Sequence, residues 1–305
     1  MLKVTVGISS FNEEKNIVRL LESIVRQRSD RFVISEILIS DDSSDNTGKL
    51  VEEFSSRNSH LTIRCLHHPC RMGVGNAWNE IFQNAKGDVI VLYDGDVVPH
   101  AHSIEHLISA LSGKTVLCIS NSMPIKSISV AGRAATYVSS WLRGIRNQRL
   151  SQYTALGRGL SIRSDVARHI IFPPDIIAVD LYLQCKVLEA NMDVIYNDLS
   201  IVYFRRPEKI SDFNSQVIRS LNGHKQIKGC IKKFKIRLPP VLALAQTIRL
   251  SLSDPVGAIA VGACYCILPY HRYRLRGLDS SMWHIAESTK GSINPLFGST
   301  VDSSA

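Results

Sequence analysis

Short apolar runs rich in β-branched residues alternate with stretches of helical periodicity from Leu2 to Asn121, and this rhythm constrains the fold more than any other feature. Leu2–Ser9, Glu36–Asp41, Leu61–Leu66, Val89–Tyr93 and Val116–Asn121 read as strands. The stretches between them read as helices. In Glu13–Gln27 the apolar residues Ile17, Leu20, Leu21, Ile24 and Val25 recur at helical spacing, and Thr47–Ser55, Gly75–Asn84 and His102–Leu111 follow suit. Such alternation requires right-handed crossovers and predicts an α/β fold, a mostly parallel sheet flanked by helices. Further helices are expected over Ala131–Gln148 and Asp180–Ala190.

Composition matters mainly for the C-terminal third. The 305 residues carry a formal charge of +9, and ten Lys/Arg against two acids between Arg205 and Arg237 account for eight of it. Pro239-Pro240 then opens a weakly polar stretch to Tyr270, which includes the uncharged run Val256–Leu268. Thirteen residues are too few to span a bilayer as a straight helix. Basic residues beside apolar ones, without an aromatic stacking platform, point to an anionic membrane surface rather than nucleic acid. A buried core helix is the competing reading of that stretch. No secretory leader is visible, and the seven scattered cysteines argue for a reducing compartment without a disulfide framework. The expected location is therefore the cytoplasmic face of the cell membrane. The expected layout is a catalytic domain over 1–205, a membrane-associating tail over 206–290 and a frayed end over 291–305.

Three expected strands run out into acidic or small polar residues. The first ends in Ser9-Ser10-Phe11-Asn12-Glu13, the second in Asp41-Asp42-Ser43-Ser44-Asp45-Asn46-Thr47, the fourth in Asp94-Gly95-Asp96. Open α/β sheets bind ligands at the carboxyl edge of their strands. Two acids one residue apart repel a pyrophosphate but hold a divalent cation that neutralises phosphate oxygens. The bland account makes each patch a separate cap or turn.

The order of SFNEE, ISDDSSDNT, RMGVGNAWN and VLYDGDVV resembles the inverting family 2 glycosyltransferases of membrane-associated type, over about residues 2–205. The resemblance implies a GT-A (nucleotide-diphospho-sugar transferase) fold, with a basic and apolar helical tail appended. It implies transfer from a nucleotide diphosphate sugar, with uridine preferred, to a lipid-linked or glycan acceptor, assisted by Mg2+ or Mn2+. On it, Asp42 would accept a hydrogen bond from the base, Ser9, Asn12 and Glu13 would line the nucleoside pocket, Asp94 would face ribose or metal, and Asp96 would bind metal. Arg71 departs from the Asn usual at its position, yet a cation beside a diphosphate is chemically sound. Asp180 would be the base that takes the acceptor proton, although Val179 stands where the family has Glu; the competing role is a helix-terminal acid. Arg158, in Ala155-Leu156-Gly157-Arg158-Gly159, would contact phosphate. Gln216-Val217-Ile218-Arg219 echoes an element of membrane-associated members but lacks its Trp, and polar helix-face residues are the preferred account. Trp283–Lys290 resembles endings of some relatives without suggesting a mechanism.

Competing motifs fare worse. Asp42, Ser44, Asn46 and Glu53 have calcium-loop spacing, but Thr47 stands where Gly is required. Cys65, His67, His68 and Cys70 lie too close together for usual zinc pairs, and Gly73-Val74-Gly75 lacks the third glycine of a dinucleotide fingerprint. A sugar nucleotidyltransferase would need a basic triphosphate loop where this chain has Asn12-Glu13-Glu14. An inactive nucleotide-sugar-binding scaffold would have no use for intact Asp94, Asp96 and Asp180.

Overall fold

A computed structural model of the protein describes residues 1–27, 29–148, 158–275 and 287–293. The elements run β1 (Leu2–Ser10), α1 (Ile17–Val25), β2 (Phe32–Asp41), α2 (Thr47–Arg57), β3 (Ile63–His67), α3 (Val74–Asn84), β4 (Val89–Asp94), β5 (Val97–Pro99), α4 (Ser103–Ser109) and β6 (Thr115–Pro124). Then follow α5 (Val130–Asn147), β7 (Gly159–Arg163), α6 (Ser164–Ala167), α7 (Val179–Glu189), β8 (Asp193–Phe204), α8 (Ile210–Gln226), α9 (Lys228–Lys233), α10 (Pro240–Ser253) and α11 (Pro255–Arg274). A 3-10 turn at Glu287–Thr289 follows among the described residues.

One eight-stranded sheet orders them β3-β2-β1-β4-β7-β6-β8-β5. The expected strand–helix alternation produces its parallel half: β1 pairs with β2 and β4, and β2 with β3, all parallel. Beyond β4 the sheet is mixed, because β7 enters antiparallel between β4 and β6. Alternation alone did not predict that strand, since its direction is set by a return from α5 and not by a crossover helix. Strand β8 is long enough to pair parallel with β6 and antiparallel with β5.

Two apolar layers cover the sheet. One gathers Ile17, Leu20, Leu21 and Ile24 of α1 against Val4, Val6, Ile8 and Val91; the other gathers Trp78, Ile81 and Phe82 of α3 against Leu38, Ile90 and Leu92. The four α1 side chains are wholly buried, each contributing about 1.5–3 kcal/mol. These layers fix the register that sets Ser9 beside Asp94 at the carboxyl edge.

The segment after Phe204 is not set apart from this body. Phe213 of α8 joins Ala131 and Ala134 of α5 and Ala260 and Cys264 of α11 in a third cluster. The core-helix reading of the apolar stretch fails, because α10 and α11 bury only Gln246 and the small residues Gly257, Ala260 and Cys264. Of the end expected to fray, Ile293 is buried and its backbone N–H donates to Asn16 Oδ1 at 3.1 Å; 294–305 lie outside the described residues. Cys185 of α7 is joined to Cys230 of α9 by a disulfide, against the expectation of none. Scattered spacing carried no trace of that pair, which two packed helices bring together.

Candidate active site

The β1 edge is organised first by its own loop. Asn12 adopts φ 54°, a left-handed conformation that Asn tolerates better than most residues. Its backbone N–H donates to Ser43 Oγ at 2.8 Å, and its side-chain oxygen accepts from Ser44 N–H at 2.9 Å. Asn12 thus ties two strand-end loops together. Its neighbour Glu13 is buried, with its backbone N–H held by Thr47 Oγ1 at 2.8 Å.

Gly95 lets the second acidic loop close down on this one. Its N–H donates to Ser9 O at 3.0 Å, and a Cβ there would lie 2.9 Å from Glu13 Cγ. The close approach brings Glu13, Asp94 and Asp96 within electrostatic reach. Burial, then repulsion from Asp96, pushes the Asp94 carboxyl up to about 7, partly offset by Arg158 and Arg219. Burial and Asp96 likewise push Glu13 up to about 7, against Lys290 and Asn16. Three acids thus crowd one space, where burial and repulsion from Asp96 hold Glu13 and Asp94 above the usual carboxylate range.

Asp180 belongs to the same group. It lies in the first turn of α7, where its Oδ1 accepts from the N–H of Leu181 at 2.9 Å. Its charge is felt by Asp94, Arg146 and Arg219. The helix-terminal role is therefore real, but does not exhaust the residue.

Cations face these acids. Arg158 Nη1 lies 3.7 Å from Asp96 Oδ1 while its guanidinium stacks on Phe204 at 4.0 Å. Arg71 stacks on Phe11 at 4.4 Å, with Asp42 supporting its charge. Burial pulls Arg219 down to about 10, opposed first by Asp180 and then by Asp94, so it remains charged at neutral pH. Arg146, buried over the Tyr196 ring at 5.1 Å, is lowered by burial and supported by Tyr196 and Asp180. Lys290 reaches in from the far end of the chain. Its Nζ donates to Phe11 O at 2.6 Å and pairs with Glu13, and Arg205 steadies its segment by donating to Ser292 O at 3.3 Å.

Asp42 stands one step out. Its Oδ2 accepts from the N–H groups of Met72 and Gly73 at 2.7 and 3.0 Å, and its Oδ1 lies 3.0 Å from His68 Nδ1. Gly73 has φ 87°, the left-handed region that favours glycine, so this carboxylate holds a turn only that residue makes cheaply. The Asp42 bond network shapes the loop carrying Arg71.

The structure thus brings Glu13, Arg71, Asp94, Asp96, Arg158 and Asp180 together, with Ser9 beside them and Asn12 bonded between the two strand-end loops. The sequence reading missed Arg146, Arg219 and Lys290. The Gln-x-x-Arg element and the Trp283–Lys290 ending were signals for two of these; nothing marked Arg146. Residues 155–157 and 283–286 of those motifs lie outside the described residues. No cluster of three or more His, Cys, Asp or Glu placed to hold a metal occurs among the described residues. His67 and His68 instead bond Asp41 and Asp42. A cavity of about 580 Å3 beside Asp88 and Arg163 opens at the other end of β4, away from these groups, and plays no part in the site.

Residues 5–159 match the model for Glycosyl transferase family 2. The probable glycosyltransferase YdaM of Bacillus subtilis (strain 168) is 33% identical over 110 residues, 36% of this chain and 26% of YdaM. The glycosyltransferase AglE of Haloferax volcanii is 24% identical over 57% of each chain. The chain thus spans between a quarter and somewhat over half of these relatives. Among solved structures, the mannosyltransferase PcManGT from Pyrobaculum calidifontis, in complex with GDP-Man and Mn2+, superposes with a TM-score of 0.59 at 18% identity. That match covers 94% of this chain and 84% of that one, and shows the expected GT-A fold.

Proposed function

The chain belongs to glycosyl transferase family 2, and from that premise we propose that it transfers a sugar, with inversion, from a nucleotide diphosphate sugar to an acceptor hydroxyl. The convergence of Asp94, Asp96 and Asp180 with Arg158 and Arg219 at one sheet edge carries the reading. Asp180 takes the proton from the attacking hydroxyl as the C–O bond to the anomeric carbon forms. The bond to the diphosphate breaks on the opposite face, which inverts the centre. Arg158 and Arg219 meet the charge that develops on the departing diphosphate, in a partly dehydrated setting where such contacts are strongest.

Asp94 and Asp96 fit a Mg2+ or Mn2+ ion. Burial and then repulsion from Asp96 raise Asp94, and two carboxylates open to donor phosphate oxygens would suit such a cation better than a closed protein cage. Bound there, the ion supplies Lewis-acid stabilisation of the leaving diphosphate. Glu13 and Ser9 line the nucleoside side, and Asp42 keeps the Arg71 loop in place and accepts a bond from the base. Uridine stays the preferred base. The acceptor in this reading is a hydroxyl of a lipid-linked or membrane-proximal glycan, supported by the basic and apolar C-terminal helices.

A thermal-shift panel of UDP-, GDP- and dTDP-sugars, each with and without Mn2+, tests the reading. One donor is expected to raise the melting temperature only with metal and to be hydrolysed slowly without acceptor. A panel in which no nucleotide sugar binds would end it.

A further inference from the structure

Helix α10 is mounted with its polar side inward. Gln246 is buried, and Gln148 Nε2 donates to Gln246 Oε1 at 3.3 Å. Trp141 Nε1 of α5 donates to Thr247 Oγ1 at 3.0 Å, and Tyr137 Oη lies 2.7 Å from Ser251 Oγ. The opposite side carries Val241, Leu244, Ile248 and Leu252, which are 77, 61, 53 and 81% exposed. Their spacing of three, four and four residues puts them in one stripe. A helix facing water is arranged the other way round.

The next helix repeats the arrangement. Gly257, Ala260 and Cys264 of α11 are buried, Ala260 and Cys264 in the cluster with α5 and α8, while Val256, Ile259, Ile267 and Tyr270 stay exposed. Asp254 separates the two helices, its Oδ1 capping the N–H of Gly257 at 2.8 Å, and the chain bends there by 119°. No single helix among the described residues is long and apolar enough to cross a membrane; only this bent pair passes on length and composition. Directly before α10, Lys225, Lys228, Lys232, Lys233, Lys235 and Arg237 are all exposed, and 225–237 contain no acid. Of these, Lys233 has an acidic neighbour, Glu189 at 3.5 Å.

We propose that α10 and α11 form a docking surface for an anionic lipid bilayer, seated among the headgroups with the stripes turned to the acyl chains and the 225–237 cations on the lipid phosphates. Exposed apolar residues grouped in such stripes mark an interaction site. Charge selects lipid over a second copy, because two copies meeting here would bring two cationic blocks together. A nucleic acid would leave the stripes in water. Docking stands independently of the transferase reading; only its consequence rests on that reading. The pair packs on α5 and α8, which carry Arg146 and Arg219, so docking braces two helices that reach the site against the membrane-bound pair.

Flotation of the full chain with phosphatidylcholine vesicles, with and without phosphatidylglycerol, tests the surface. The parent is expected to float with phosphatidylglycerol-containing vesicles, less so in high salt. The exposed double change Ile248→Glu and Leu252→Glu is expected to lower binding at least about tenfold with an unchanged melt. A second variant, Lys228→Gln with Lys232→Gln and Lys235→Gln, is expected to lose the salt-dependent part. The proposal falls if the parent stays unbound with both vesicle types, or if the double variant floats as well as the parent. It also falls if light scattering finds a dimer that the double variant dissolves. Donor hydrolysis without vesicles is read separately, so failed catalysis and failed docking are distinguishable.

Discussion

The two halves of the sheet supply opposite charges to one site. The parallel half delivers acids from strand ends, Glu13 after β1 and Asp94 and Asp96 at β4, each within a few residues of a buried apolar run. The later elements deliver most of the cations, Arg146 from α5, Arg158 before β7, Arg219 from α8 and Lys290 from the C-terminal return; Arg71 and Asp180 are the exceptions on either side. The cations do not offset burial and the repulsion of Asp96, which leave Asp94 and Glu13 pushed up to about 7. A site held at that imbalance is ready to accept further positive charge without rebuilding itself.

The sharpest way to break this picture is to remove the acid that stands among the cations. Asp180→Asn is expected to lower turnover about 10³-fold, within the range for a lost general base, while calorimetric donor affinity stays within about threefold of the parent. If donor binding collapses instead, Asp180 belongs to the donor wall and the base lies elsewhere. Next comes the cation whose charge both Asp180 and Asp94 support. Arg219→Gln is expected to cost about 10² in kcat/KM, and Arg219→Lys to restore only part of it, because a point charge does not replace a planar fork of donors. Full recovery with Lys would reduce Arg219 to a source of general field.

How far the sequence carried this contrast follows the same division. Acids at strand ends were legible because a strand's direction and its buried register fix which end a residue occupies; Asp94-Gly95-Asp96 could hardly be elsewhere. Arg219 and Arg146 sit on helices whose inward face is chosen by tertiary packing, so polar spacing alone read as solvated surface. The antiparallel direction of strand β7 was unmarked for the same reason. Asn12 was legible as a loop residue but not in its direction, since an Asn side chain bonds neighbouring loops as readily as a ligand. Lys290 lies 277 residues from Glu13, a separation at which one sequence gives no pairing signal.

Lys290 sharpens the comparison at smaller amplitude. Lys290→Met removes one charged partner of Glu13 and the bond to Phe11 O. An effect of about tenfold on donor KM is expected, the scale of a hydrogen bond to a charged group, with kcat reduced less. An unchanged KM would leave the 287–293 segment a packing element only.

The smallest effect reads the charge imbalance directly through stability. Asp94 in the folded chain holds its proton up to about 7, whereas the unfolded chain releases it near 3.8. Between those values the folded state binds more protons, so stability must fall as pH rises through the window. The favourable contribution is complete below about 4 and gone above about 7. The protein's large positive charge works the other way, because acidification adds repulsion, and the parent curve alone therefore decides nothing. The difference between parent and Asp94→Asn does. Relative to the variant, the metal-free parent is expected to lose roughly 2–4 °C in melting temperature between pH 5 and 8, and added Mn2+ is expected to cancel the loss. Parallel curves for the two proteins would mean that Asp94 is already neutralised within the fold, and the acidic rim would then have no unmet charge to offer a cation.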